Sequence, residues 1–266
     1  MTDPDPTLVA RLRAAGCVFA EDEALLLAEA ADSPERLEEL VSLRVAGHPL
    51  ETLLGWAEFC GLRIVVEPGV FVPRQRTEFL VDLAVGLGTP ESVVLDLCCG
   101  AGAIGAAIAS RLGSGVELVA ADIEPAAVRC ARANIEPAGR VFEGDLYDAL
   151  PPELQGRVDL LAVNAPYVPT DSIRMMPPEA RDYEPAIALD GGADGLDVQR
   201  RVAAGAPTWL APGGSLLIET SMPQAERSAA LFAAAGLESR IEHSDDFDAT
   251  VVVATRRRLG DTARRG

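Results

Sequence analysis

Two hydrophobic periods divide the chain. From residue 7 to about 56 apolar positions recur every three or four residues, in "LVARLRAAG", "EDEALLLAEAA" and "SPERLEELVSLRVAG", which predicts helices with one apolar stripe each. The third carries clear punctuation: Ser33 as a cap, Pro34 at the first helical position and Gly47 past the end. Residues 64–74, "IVVEPGVFVPR", predict a short hairpin turning at Pro68-Gly69. From about Thr77 short β-type runs alternate with helical segments: "SVVLDLC", "AIGAAIASRL", "VELVAAD", "PAAVRCARANI", "RVFEGD", "VDLLAVN", "VQRRVAAGAPTWL", "GSLLIET". Parallel strands need crossover helices, so the alternation predicts an α/β fold with a doubly wound, mostly parallel sheet. "LESRIEHS" and "ATVVVATR", separated only by "DDFD", predict an antiparallel closing pair. The expected division is a helical unit over 1–62, a linking β-hairpin over 63–76, the sheet domain over 77–256 and a disordered arginine-rich tail over 257–266.

Composition narrows the class. Hydrophobic residues make up 48% of the 266 positions, yet no apolar run approaches the roughly 18 residues needed to span a bilayer. The acidic, proline-bearing start "MTDPDPTLVARLRAAG" lacks the basic and apolar regions of a signal peptide, so a cytoplasmic location is expected. The cysteines at 17, 60, 98, 99 and 130 show no zinc spacing, and no metal is expected. Net charge is −18, all positive charge is arginine, and the average field repels nucleic-acid backbone. A monomer is the simplest expectation.

Candidate chemistry collects at the ends of the predicted strands. In "VLDLCCGAGAIGAAIA", 94–109, a strand runs into a glycine turn that opens a helix. Gly100 and Gly102 let the backbone turn tightly and leave room for a ligand beside the positive helix end, with Cys98, Cys99 and Ala101 as small fillers. Asp122 ends the next strand, where a carboxylate accepts from two ribose hydroxyls. Asp145, followed by Leu146, ends the third in "FEGDL", where it can accept from an exocyclic adenine amine. Together these describe a nucleoside pocket. Asp96 accepts from an ammonium group and repels a diphosphate, which favours S-adenosylmethionine over a dinucleotide. In "VNAPYVP", 163–169, the prolines end a strand and hold Asn164 at its tip.

The motifs "LDLCCGAGAIG", the Asp122 strand, "GDL" and "NAPY" resemble the class I methyltransferases. "PLETLLGWAEFCGL", "VEPGVFVPRQRTE", "YEPAIALDGGADGLDVQRRV" and "LAPGGSLLIE" narrow the resemblance to the protein-glutamine methyltransferases that modify peptide-chain release factors, over nearly the whole chain. The resemblance implies methyl transfer from S-adenosylmethionine, leaving S-adenosylhomocysteine, to a side-chain amide nitrogen. Asn164 and the carbonyl of Ala165 would accept from the two N–H groups of the substrate amide, with Pro166 and Tyr167 beside it. Asn164 also adjoins the donor. Arg74 and Glu78 match the pattern on the substrate side, and the helical unit would contact the protein substrate.

Two positions depart from that pattern. Ala165 replaces the first proline of Asn-Pro-Pro-Tyr, and Arg76 stands where the family has an acidic residue. Both touch the acceptor side. Other acceptors stay open at this point: another protein, a small amide or amine metabolite, or adenine in DNA. So does a non-catalytic assembly protein, although Gly100, Gly102 and Asp122 are intact.

Overall fold

The computed structural model describes residues 4–258. Four helices lead: α1 (Pro6–Ala14), α2 (Ala20–Ala30), α3 (Pro34–Val45) and the short α4 (Leu50–Leu54). The start of α3 follows its punctuation, with the Ser33 hydroxyl accepting the Arg36 N–H at 3.1 Å. Leu8, Leu12, Leu27, Leu40 and Val41 pool the apolar stripes of α1 to α3 into a small core of their own.

A hairpin follows, displaced from its expected place. Strands β1 (Trp56–Phe59) and β2 (Leu62–Val65) pair antiparallel and turn at Cys60-Gly61, not at Pro68-Gly69. The reason is local. Cys60 and Gly61 both take left-handed φ, 51° and 74°, the conformation of a two-residue hairpin loop. Beyond β2 the prolines at 68 and 73 deny the chain a ladder, and Val66, Val70 and Val72 pack into the core from an extended strap.

The remaining α-helices and strands are α5 (Glu78–Leu87), β3 (Val93–Leu97), α6 (Ala103–Leu112), β4 (Glu117–Asp122), α7 (Pro125–Ile135), β5 (Gly139–Glu143), β6 (Val158–Val163), α8 (Pro178–Tyr183), α9 (Ala186–Leu189), α10 (Asp197–Trp209), β7 (Leu210–Thr220), α11 (Ala225–Ala234), β8 (Glu238–Ser244) and β9 (Ala249–Thr255). The sheet order is β5-β4-β3-β6-β7-β9-β8, with β9 antiparallel to both neighbours and the other adjacent pairs parallel. Alternate strand residues serve opposite layers. Val94, Leu118, Ala120 and Ala162 pack towards α5, α6 and α7, whereas Leu95, Val119, Leu161 and Val163 pack towards α10 and α11. Asp159, the polar interruption of β6, accepts the Val93 N–H at 2.9 Å and so belongs to the sheet.

The chain winds outward from β3 to β5, then returns to lay β6 on the other side of β3. Leu97 and Val163 pair across that junction, which makes neighbours of Cys98 and Asn164 at the switch point where open α/β sheets bind ligands. Among the described residues no helix is long and apolar enough to cross a membrane. The expected tail lies, from residue 259 on, outside the described residues.

Candidate active site

A cavity of about 410 Å³ opens over the carboxyl ends of β3, β4 and β6. Its donor side is built by the turn after β3. Cys98, Gly100 and Gly102 all take positive φ, at 58°, 53° and 78°. Gly102 is dictated by packing as well: a Cβ there would lie 2.8 Å from Ile135 Cδ1 and 3.2 Å from Ala131 Cα on α7. At Gly100 a Cβ would meet nothing within 4 Å, so bare backbone faces the cavity.

Asp122 Oδ2 accepts the Gly100 N–H at 2.8 Å and its Oδ1 accepts the Glu124 N–H at 2.9 Å. Burial raises its pKa while those N–H groups pull it down. Each oxygen keeps capacity for a second donor. Ala101, Asp145 and Leu146 share the wall, with Leu146 also at positive φ (51°). Asp145 is paired with Arg201 of α10 at 2.8 Å. Burial first, then Asp122 and Asp96, pushes the Cys98 thiol far up; burial does the same to Cys99, so both stay neutral on the wall.

Asp96 is placed otherwise than its neighbours. It does not line the cavity; it is fully buried behind the turn, with Oδ2 accepting the Gly105 N–H at 2.8 Å. Oδ1 has no hydrogen-bond partner among the described residues. Burial lifts this carboxyl to about 8.

The acceptor side begins at the tip of β6. Asn164, Ala165, Pro166 and Tyr167 all line the cavity, with Asn164 half-buried and Ala165 buried. The Tyr167 hydroxyl donates to Glu219 at 2.9 Å and accepts from Arg76 at 2.8 Å. Arg74 also lines the cavity, held to the buried Glu184 by two contacts of 2.6 Å. Glu78 lies elsewhere: it accepts the Cys60 N–H at 2.9 Å and so secures the hairpin turn.

Residues after the Asn164 loop roof the cavity with Met176, Pro177, Ala180 and Leu189. Arg44 of α3 ties this roof to the helical unit, pairing with Glu23 at 2.6 Å and with Glu179 of α8. Sequence reasoning missed Glu219, Glu184, Arg201 and Arg44. The only hint for Glu219 is an acid closing the otherwise apolar run "SLLIE".

The sheet order, its reversed closing strand and a cavity at the switch point define a class I methyltransferase. The methyltransferase small domain family model matches residues 61–176, and a release factor glutamine methyltransferase of Geobacter sulfurreducens is 40% identical over 210 residues, 77% of this chain and 72% of that one. The chain belongs to the release factor glutamine methyltransferase family. A 4-amino-L-phenylalanine/4-methylamino-L-phenylalanine methyltransferase of Streptomyces pristinaespiralis is 36% identical over 211 residues, covering 76% of this chain and 71% of its own. The T. thermophilus 16S rRNA N2 G1207 methyltransferase, solved in complex with AdoMet and guanosine, shares the fold at a TM-score of 0.52 and 23% identity, covering 76% of this chain and 50% of that one.

The methyl donor is S-adenosylmethionine, and the wall fits it. Bare backbone at Gly100, open acceptor capacity on Asp122 and Asp145, and apolar flanks from Ile123 and Val198 suit a nucleoside joined to a short polar tail. Among the described residues no three His, Cys, Asp or Glu side chains gather as metal ligands.

Proposed function

We propose that this enzyme methylates the side-chain amide nitrogen of a glutamine in a peptide-chain release factor. The observation that carries the reading is the position of Asn164, beside the donor turn at the switch point and on the same cavity wall as Gly100 and Asp122. Asp122 holds the ribose hydroxyls, Asp145 the adenine amine, and the backbone from Cys98 to Ala101 with the amide of Leu146 lines the donor, while Asp96 supports the turn from behind through the Gly105 N–H.

The donor supplies an electrophilic methyl on a positively charged sulfur. An amide nitrogen is a weak nucleophile because its lone pair is shared with the carbonyl. Asn164 Oδ1 and the Ala165 carbonyl accept from its two N–H groups and turn the nitrogen towards the donor, Pro166 stiffens the turn, and Tyr167 covers the amide plane. Arg74, through Glu184, fixes the strap that forms the near wall.

The helical unit, tied to the roof through Arg44, provides the surface for a protein substrate. One chain completes the cavity, so a monomer suffices, and a cytoplasmic setting accords with such a substrate. The net charge of −18 speaks against DNA as acceptor.

One observation favours a second reading, transfer to a small amine: the Streptomyces pristinaespiralis relative is named for an amino acid acceptor. A radiolabelled transfer assay separates the two. Label on the glutamine of unmethylated release factor supports the first; label only in the small-molecule fraction of an extract from a strain lacking the enzyme supports the second. Asn164→Ala should lower kcat on the true acceptor by about 100-fold while donor affinity in calorimetry holds; normal turnover in that variant rejects the role of Asn164.

A further inference from the structure

Glu219, near the end of β7, keeps only 2% of its side chain exposed. A carboxylate so deep requires donors, and it has three: Thr77 Oγ1 at 2.6 Å, Tyr167 Oη at 2.9 Å and Arg76 Nε at 3.1 Å. The guanidinium also reaches the ring directly, with Nη2 donating to Tyr167 Oη at 2.8 Å. Arg76, Thr77 and Tyr167 face the cavity, and Glu219 stands behind them. Gln224 Nε2 donates to the Tyr167 carbonyl at 2.9 Å, so ring and backbone of this residue are both fixed. Upstream in the same loop, Ala165 has none of the restriction that a proline ring places on φ.

We infer that Arg76 is a positioning residue: by bridging the Tyr167 hydroxyl to Glu219 it sets the tyrosine ring on the acceptor wall and holds the Asn164–Tyr167 loop against β7. The bridge needs a forked cation. A carboxylate at position 76 would repel Glu219 and accept where a donor is required. The two departures from the family pattern are thereby connected, since Ala165 loosens the loop that Arg76 ties down. The inference rests on the reading of Tyr167 as part of the acceptor wall.

The test uses the full chain with Arg76→Ala and Tyr167→Phe, singly and combined. Hydrogen exchange of peptides covering residues 163–170 needs no acceptor. Steady-state kinetics at saturating donor, with donor Kd from calorimetry, supply the second readout. Each single variant is expected to speed exchange in this loop and lower kcat about tenfold, as loss of one charge-assisted hydrogen bond implies. Donor Kd should hold, and the double variant should be no worse than Arg76→Ala. Unchanged exchange in Arg76→Ala, or losses that multiply in the double variant, overturn the inference. If the alanine variant does not fold, Arg76→Gln is read in its place. Wild-type enzyme inactive on release factor counts against the acceptor assignment alone, because the exchange measurement still decides the role of Arg76.

Discussion

Asp96 is the residue furthest from its ordinary chemistry. Burial raises its carboxyl to about 8, with Gly105 N–H pulling down and Asp122 pushing further up. An unfolded aspartate titrates near 4. Between about pH 4 and pH 8 the folded chain therefore keeps a proton that the unfolded chain has lost. Stability conferred by this site falls as pH rises through that window, by up to ~1.4 kcal/mol per pH unit. Asp96→Asn retains an acceptor for Gly105 and cannot ionise. Urea unfolding from pH 5 to pH 9, without donor, should show the variant free of that fall and more stable than wild type at pH 8. An unchanged slope would assign the fall to other groups. Asp122 and Asn164 were readable in the sequence because each ends a recognisable apolar run. Glu219 also closes such a run, but its role was not readable: its partner Arg76 stands 143 positions away, and only the fold brings them together.

At the scale of elements, strand and helix alternation was legible because strands covered on both faces read as short, nearly unbroken apolar runs between the helical segments. The hairpin was not. Its turn is Cys60-Gly61, and cysteine carries none of the turn chemistry of asparagine or aspartate, whereas Pro68-Gly69 carries the usual signature and forms no hairpin. The turn between β3 and α6 is the element most sensitive to change. Gly102→Ala places a methyl against Ile135 and Ala131 at a left-handed φ, so α6 and α7 must separate or the turn must shift. The expected cost is about 1–3 kcal/mol, accompanied by weaker donor binding. Thermal unfolding and calorimetry test both halves, and an unaffected donor Kd would mean that the turn can absorb the methyl without moving Gly100.

Across the whole molecule, two cores must keep register, the small one under α1 to α3 and the two-faced one around the sheet. Arg44 is a buried polar link between them, and beside it the Tyr183 ring lies tilted at 41° against His48, centroids 4.2 Å apart, and its hydroxyl donates to the Ala46 carbonyl at 3.0 Å. Arg44→Ala strands the buried Glu23 without its counter-charge, a loss of about 3 kcal/mol, and releases Glu179 on the roof. Acceptor KM should rise while donor Kd stays as it was; an unchanged KM would make the link purely structural. The placement of β9 between β7 and β8 bears on how the protein is made. Synthesis delivers β7 and β8 before the strand that joins them, so a nascent chain carries an unpaired β7 edge bearing Leu216, Leu217 and Ile218. An open apolar edge recruits foreign strands. The half-made enzyme is thus the species most in need of a chaperone, and slowing translation upstream of residue 249 should increase its aggregation more than any substitution in the finished site.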